Sequence, residues 1–91
     1  MTQFATMILR VTDKLSAQKQ LKQAKRDNKE IYSMREMNMR NRATYVLGGN
    51  PYDVDIMVEV KTNGGEESLK RVEAALKKIA SDDKVEVFIP V

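Results

Sequence analysis

The sequence predicts an α+β fold of four strands and two helices in a single domain spanning residues 1–91. Segments in which apolar and polar side chains alternate predict strands, and segments whose apolar side chains recur every three or four residues predict helices. A chain of 91 residues has the length of one small domain. We therefore expect one core, built mainly from Val, Ile, Leu, Met and Ala.

The first strand is predicted for residues 3–11. Ala5, Met7, Leu9 and Val11 share one side of it, and Phe4, Thr6, Ile8 and Arg10 share the other. Because both sides are partly apolar, this strand is expected in the centre of the sheet. Thr12 and Asp13 can then cap a helix that begins near Lys14.

The first helix is predicted from two opposed arcs of side chains. At 100° per residue, the apolar arc spans about 80° and the basic arc about 120°. The apolar arc holds Ala17, Leu21, Ala24, Asn28 and Ile31. The basic arc holds Lys19, Lys22, Lys25, Arg26 and Lys29. The phase fails after Ile31, so the helix is expected to end or bend between Lys29 and Met34. One helix continuing to Arg42 is the alternative, since residues 31–42 contain no Gly or Pro.

A hairpin is predicted to follow. Alternation over residues 37–47 indicates a second strand, which ends at the turn sequence Gly48-Gly49-Asn50-Pro51. Residues 53–61 then alternate in the clearest pattern of the chain, with Val54, Ile56, Val58 and Val60 as the buried set. This pattern is typical of a half-buried strand.

The second helix is predicted after the turn Asn63-Gly64-Gly65. Leu69, Val72, Leu76 and Ile79 form its buried stripe, and its charges suit the helix dipole. Residues 84–91 alternate again, and the late Pro90 is typical of an edge strand.

The order β, α, β, β, α, β resembles the ferredoxin-like plait, a four-stranded antiparallel sheet with both helices on one face. The resemblance covers nearly the whole chain but is architectural only, because this fold carries many unrelated activities. It implies no particular function.

Composition excludes several classes of mechanism. Without Cys or His there is no thiol nucleophile, thiolate zinc site or imidazole base. Asp53, Asp55 and Glu59 leave an acid-base or metal-dependent enzyme as a minor alternative, but two or three carboxylates alone rarely make a dedicated site. We therefore expect a non-enzymatic protein that holds no metal or cofactor.

Charge is distributed unevenly along the chain. Residues 1–42 hold ten Lys or Arg against four Asp or Glu, a net +6, whereas residues 43–91 carry a net −3. A basic face opposite an apolar one favours binding to a polyanion. The expected nucleic-acid-binding residues are Lys19, Lys22, Lys25, Arg26, Lys29, Arg35, Arg40 and Arg42.

The leading hypothesis is a small regulator that binds nucleic acid, structured RNA in preference to duplex DNA, through this first helix. Lysines contact phosphates and read sequence poorly, so shape would supply specificity. The alternative is a protein-interaction module, such as an inhibitor or antitoxin-like subunit, that docks on an acidic partner. The interpretation without a binding function is that this basic face is solvated and only keeps the helix soluble.

The uncovered face of the sheet is the second candidate surface. Phe4, Ile8, Met57 and Phe88 are expected on it, and a second copy of the chain could cover them in a homodimer. RNA-recognition motifs stack bases on sheet aromatics, but Phe4 lacks a partner on the third strand, whose carboxylates would repel phosphates. The sequence therefore disfavours binding of nucleic acid on the sheet.

With no visible signal peptide or membrane span, a cytoplasmic location is expected.

Overall fold

A computed structural model describes residues 3–37 and 53–90 of the chain. Four strands and two helices are present there: β1 (Phe4–Val11), α1 (Lys14–Asp27), β2 (Ile31–Glu36), β3 (Val54–Lys61), α2 (Gly65–Ile79) and β4 (Val85–Phe88). All strand pairs are antiparallel, and the order across the sheet is β2-β3-β1-β4. The α+β class is confirmed, as is the central position of β1 between β3 and β4.

The core lies between one face of the sheet and both helices. Alternation places Met7, Leu9 and Val11 of β1 on the helix side, fully buried. They form one cluster with Val58 and Val60 of β3 and with side chains of both helices. The helix side chains in this cluster are Ala17, Leu21, Val72 and Leu76. The opposite face of the sheet carries no helix within the described residues, and we call it the open face.

Helix α1 begins where the sequence predicts. Asp13 is its N-cap, and the Asp13 carboxylate accepts a hydrogen bond from the backbone N–H of Leu15 at 3.0 Å. Such a cap satisfies an amide that has no partner in the first turn. The predicted buried positions Ala17, Leu21 and Ala24 are buried.

Asn28, on the predicted apolar arc, is also buried, and its polar atoms are satisfied. Its side-chain amide donates to Ala24 O at 2.9 Å, and its side-chain oxygen accepts from Arg71 Nε at 3.3 Å. Arg71 also pairs with Glu30. These contacts fix the end of α1 against α2.

The end of α1 and the start of β2 correct the sequence prediction. The helix ends at Asp27, two residues before the predicted window, and the alternative helix reaching Arg42 is wrong because Ile31–Glu36 is a strand. That strand begins six residues before the expected one at 37–47. Met37 follows its end, and the rest of the expected strand, with the turn at Gly48-Gly49-Asn50-Pro51, lies outside the described residues.

A β-bulge explains the error. Ile31 pairs with Val60 and Ser33 pairs with Glu59, so Tyr32 is an extra residue opposite no partner. The bulge puts Ile31 and Met34 on the same side of the strand, opposite Val60 and Val58. A three-residue spacing of apolar side chains is typical of a helix, so the sequence pattern did not indicate a strand at residues 31–36.

The remaining elements are present where the sequence predicts them, but β4 covers only Val85–Phe88 of the predicted residues 84–91. Val54, Ile56, Val58 and Val60 point to the helix side of β3, and the second helix buries Val72 and Leu76. Gly65 has a φ of 84°, in the left-handed region that glycine adopts readily. Within the described residues β4 pairs only with β1, as expected of an edge strand.

Candidate nucleic-acid interface

The cations of the first helix form an exposed surface. Lys19, Lys22, Lys25 and Arg26 on α1, and Lys29 in the turn after it, are all exposed. We call these five residues the basic surface. None of them forms an ion pair with any carboxylate in the described ranges 3–37 and 53–90. Their charge is therefore directed at solvent.

The neighbouring helix α2 provides a contrast. Lys70 pairs with Glu66 and Lys77 pairs with Glu73, each one helical turn away. Arg71 pairs with Glu30. Three of the four cations of α2 thus have a carboxylate partner, whereas on α1 only Lys14 has one among the described residues, Glu36 of β2. The positive potential of the helix layer is concentrated along α1.

A groove separates α1 from the edge strand β2. It has a volume of about 340 Å³, and Lys22 and Lys25 border it on the helix side. Leu21, Met34 and Ile56 form its apolar floor. Two cations of the basic surface therefore flank an open channel rather than a flat helix surface.

Arg35 lies on a different element from the one expected. The sequence places Arg35 beyond the end of the basic helix as its continuation, and the structure places it on β2 opposite Met57. Its guanidinium is 3.9 Å from the Glu59 carboxylate and donates a weak hydrogen bond to Met57 Sδ. Arg35 also borders the groove that Lys22 and Lys25 border, so its role in binding stays a prediction. Arg40 and Arg42 lie outside the described residues.

The four predicted partner-surface residues are all on the open face. Ile8 and Met57 are directly opposite each other on β1 and β3, and both are half-buried. Phe88 of β4 lies opposite Thr6 and is 53% exposed. Phe4 is half-buried at the start of β1. The sequence correctly grouped these side chains on one face.

The other end of the open face is occupied by charges. Arg10 Nε donates to the Asp55 carboxylate at 2.9 Å, between the neighbouring strands β1 and β3. This hydrogen bond raises the pKa of Arg10 above its ordinary value, against the opposing effect of burial. Glu59 lies toward the opposite end, where it pairs with Thr6 and Ser33, and it accepts a hydrogen bond from the Ser33 hydroxyl at 3.2 Å. Asp55 and Glu59 thus have structural partners, and in the described ranges no three potential ligand side chains are grouped to hold a metal.

Tyr32 is the surface residue that sequence reasoning missed. Its ring is 57% exposed and lies 4.9 Å from the Phe4 ring, centroid to centroid, with the planes tilted by 50°. Lys61 of β3 places its ammonium group 6.0 Å from the Tyr32 ring centre. The sequence analysis did not place Tyr32 on a strand, so only recognition of the bulge would have supplied the aromatic partner that Phe4 lacked.

In comparisons with known proteins, no family model, no curated protein and no solved structure matches the chain. Neither helix in the described part of the chain has the length and apolar character that a membrane crossing requires.

Proposed function

We propose that this protein binds nucleic acid, structured RNA in preference to duplex DNA, through the basic surface on α1. The observation that carries the proposal is the set of five exposed cations without carboxylate partners among the described residues. A row of cations on a rigid helix neutralises phosphates and releases their counterions, which is the main source of sequence-independent affinity.

Structured RNA is favoured by the type of side chain. Four of the five cations are lysines, which act as flexible point charges and contact phosphates more readily than base edges. Recognition that rests on phosphates depends on the shape of the ligand, which is how proteins commonly recognise double-stranded RNA.

The proposal is tested by two triple variants of equal charge. Lys19→Gln, Lys22→Gln and Arg26→Gln remove three charges from α1, and Lys70→Gln, Lys77→Gln and Lys78→Gln remove three from α2. Both variants have a formal net charge of zero instead of +3. We expect the α1 variant to bind a fluorescein-labelled RNA hairpin about tenfold more weakly or worse, and the α2 variant to remain much closer to the wild type. Equal affinities of the two variants would contradict the proposal.

A second candidate function, docking on an acidic protein, is favoured by Leu15. This side chain is 81% exposed in the first turn of α1, and helical spacing places it on the same side of the helix as Lys22 and Arg26. An apolar side chain among cations suits a protein surface better than a phosphate chain. Leu15→Ser is expected to weaken a protein partner strongly and an RNA hairpin little. A partner recovered from nuclease-treated lysate only with Leu15 present would favour this second function.

Two finer structural statements accompany the proposal. We propose that the fold is the ferredoxin-like plait, which is supported by the observed strand order and by the placement of both helices over one face. A homodimer formed through the open face is supported by the exposure of Phe88 and by the apolar pair Ile8 and Met57. Sedimentation equilibrium of the wild type and of Phe88→Ser tests the homodimer directly.

A further inference from the structure

We propose that Phe4, Tyr32 and Lys61 form a stacking site for unpaired nucleotides of a single-stranded segment. These three residues, which we call the aromatic site, lie in one row across β1, β3 and β2 at one end of the open face. The inference rests on the proposed function, because it assigns a second contact to the same nucleic-acid ligand. It also revises the expectation that the sheet takes no part in binding.

The bulge in β2 creates the aromatic site. Tyr32 is the extra residue between Ile31 and Ser33, and its ring lies beside the ring of Phe4 although β3 separates the two strands. Bulges commonly redirect a side chain near a functional site. Here Tyr32 remains more than half exposed, so a ligand in solvent can reach it.

Backbone contacts hold both rings in place. Thr62 donates two hydrogen bonds to Gln3 O, one from its backbone N–H at 3.0 Å and one from its hydroxyl at 3.2 Å. These bonds fix the start of β1 and therefore Phe4. On the other side, the Lys61 N–H donates to Glu30 O at 2.8 Å, just before β2. The strand ends that carry the two rings are therefore hydrogen-bonded before any ligand arrives, and such preorganisation lowers the entropic cost of binding.

The charges around the rings suit a phosphate chain. Lys61 lies near the Tyr32 ring and, together with Lys29 of the basic surface, borders a recess of about 250 Å³. Glu30 also borders this recess, but it pairs with Arg71. Lys29 and Lys61 therefore place positive charge between α1 and the aromatic site.

Of the carboxylates on β3, Asp55 is distant from the site and Glu59 lies beside it. Asp55 is six residues from Lys61 along β3, about 20 Å at the rise of a strand. Glu59 is two residues from Lys61 and pairs with Ser33, which follows Tyr32. Its charge is opposed there by Lys61 and by Arg35, whose guanidinium is 3.9 Å away, and it accepts a hydrogen bond from Ser33.

Aromatic rings beside cations bind single-stranded nucleic acid because every base presents a π-face to stack on. Duplex RNA keeps its bases inside the helix, so it cannot use the site. We expect the aromatic site to bind one or two unpaired bases beside a structured element that contacts α1.

The test compares a ring with an aliphatic side chain at the same position. The probes are a fluorescein-labelled 12-nucleotide oligouridine RNA and a blunt-ended RNA duplex that has no unpaired nucleotides. Tyr32→Leu is expected to weaken oligouridine binding about 5- to 100-fold and to leave duplex affinity within about twofold. Tyr32→Phe, which keeps the π-face, should bind oligouridine like the wild type. Ile89→Ala is the matched control, because it removes an exposed apolar side chain outside the site.

The outcomes separate this inference from the proposed function. If Tyr32→Leu binds oligouridine as well as Ile89→Ala does, the aromatic site is wrong while the basic surface stands. The same conclusion holds if wild-type protein binds the RNA duplex but not oligouridine, or if Tyr32→Leu changes only the monomer–dimer equilibrium. If neither probe binds wild-type protein, both proposals are wrong. Urea unfolding of Tyr32→Phe and Tyr32→Leu verifies that both variants are folded under the binding conditions.

Discussion

The rings of Phe4 and Tyr32 lie 4.9 Å apart although their strands are not neighbours in the sheet. The contact passes over β3 and depends on the extra residue in β2. Tilted aromatic pairs at this distance attract each other beyond the area they bury.

We predict a favourable coupling between these two rings. Phe4→Leu, Tyr32→Leu and the double variant should give a coupling of about 0.5–1 kcal/mol in the free energy of unfolding, measured in urea. Tyr32→Leu combined with Phe88→Leu should be additive, because no contact joins those rings. Additivity in the first cycle would mean that the two rings do not interact in solution.

The shared core predicts a large difference between two leucines on the two helices. Leu76 of α2 is fully buried, whereas Leu15 of α1 is 81% exposed. Leu76→Ala should lower the free energy of unfolding by about 2–5 kcal/mol, since it removes a packed side chain and leaves a cavity. Leu15→Ala should change it by less than about 0.5 kcal/mol. Similar losses for both variants would be inconsistent with a core under the two helices.

The ion pair between β1 and β3 predicts a structural role for Asp55. The Asp55 side chain is 14% exposed and accepts from Arg10 at 2.9 Å. Asp55→Asn removes this charge-assisted bond and should destabilise the fold by about 1–2 kcal/mol. Glu86→Gln, at an exposed position of the same face, is the control and should be nearly neutral. Stability unchanged by Asp55→Asn would remove the structural role assigned to the pair.

Regular periodicity explains which parts of the fold could be predicted. The alternation of Val54, Ile56, Val58 and Val60 has one physical interpretation, a strand with one covered face, and the structure agrees. The cap at Asp13 and the stripe of Val72 and Leu76 are equally local signals. Each of these depends on neighbouring residues alone.

The bulge explains what could not be predicted. Pairing with β3 decides that Ile31 begins a strand, and the irregular register lets Met34 share the covered side with it. The start of the strand and its irregular register both result from pairing with β3, so the spacing of residues 31–36 does not predict them. Because the strand at residues 31–36 was not predicted, neither Tyr32 nor Arg35 was expected on the open face. The sequence therefore predicted the exposed cations of α1 but not the aromatic site. Nucleic-acid binding itself stays a prediction.

The central claim is that the cations of α1 contact phosphates, and the salt dependence of RNA binding tests it most directly. The measurement is the affinity for the RNA hairpin between low and moderate salt, plotted as the logarithm of the association constant against the logarithm of the salt concentration. The α1 triple variant should have a slope smaller in magnitude than the wild type by about 2 to 3, since each of the three lost phosphate contacts removes about 0.7 to 0.9. The α2 triple variant should keep the wild-type slope. Equal slopes for all three proteins would contradict the account.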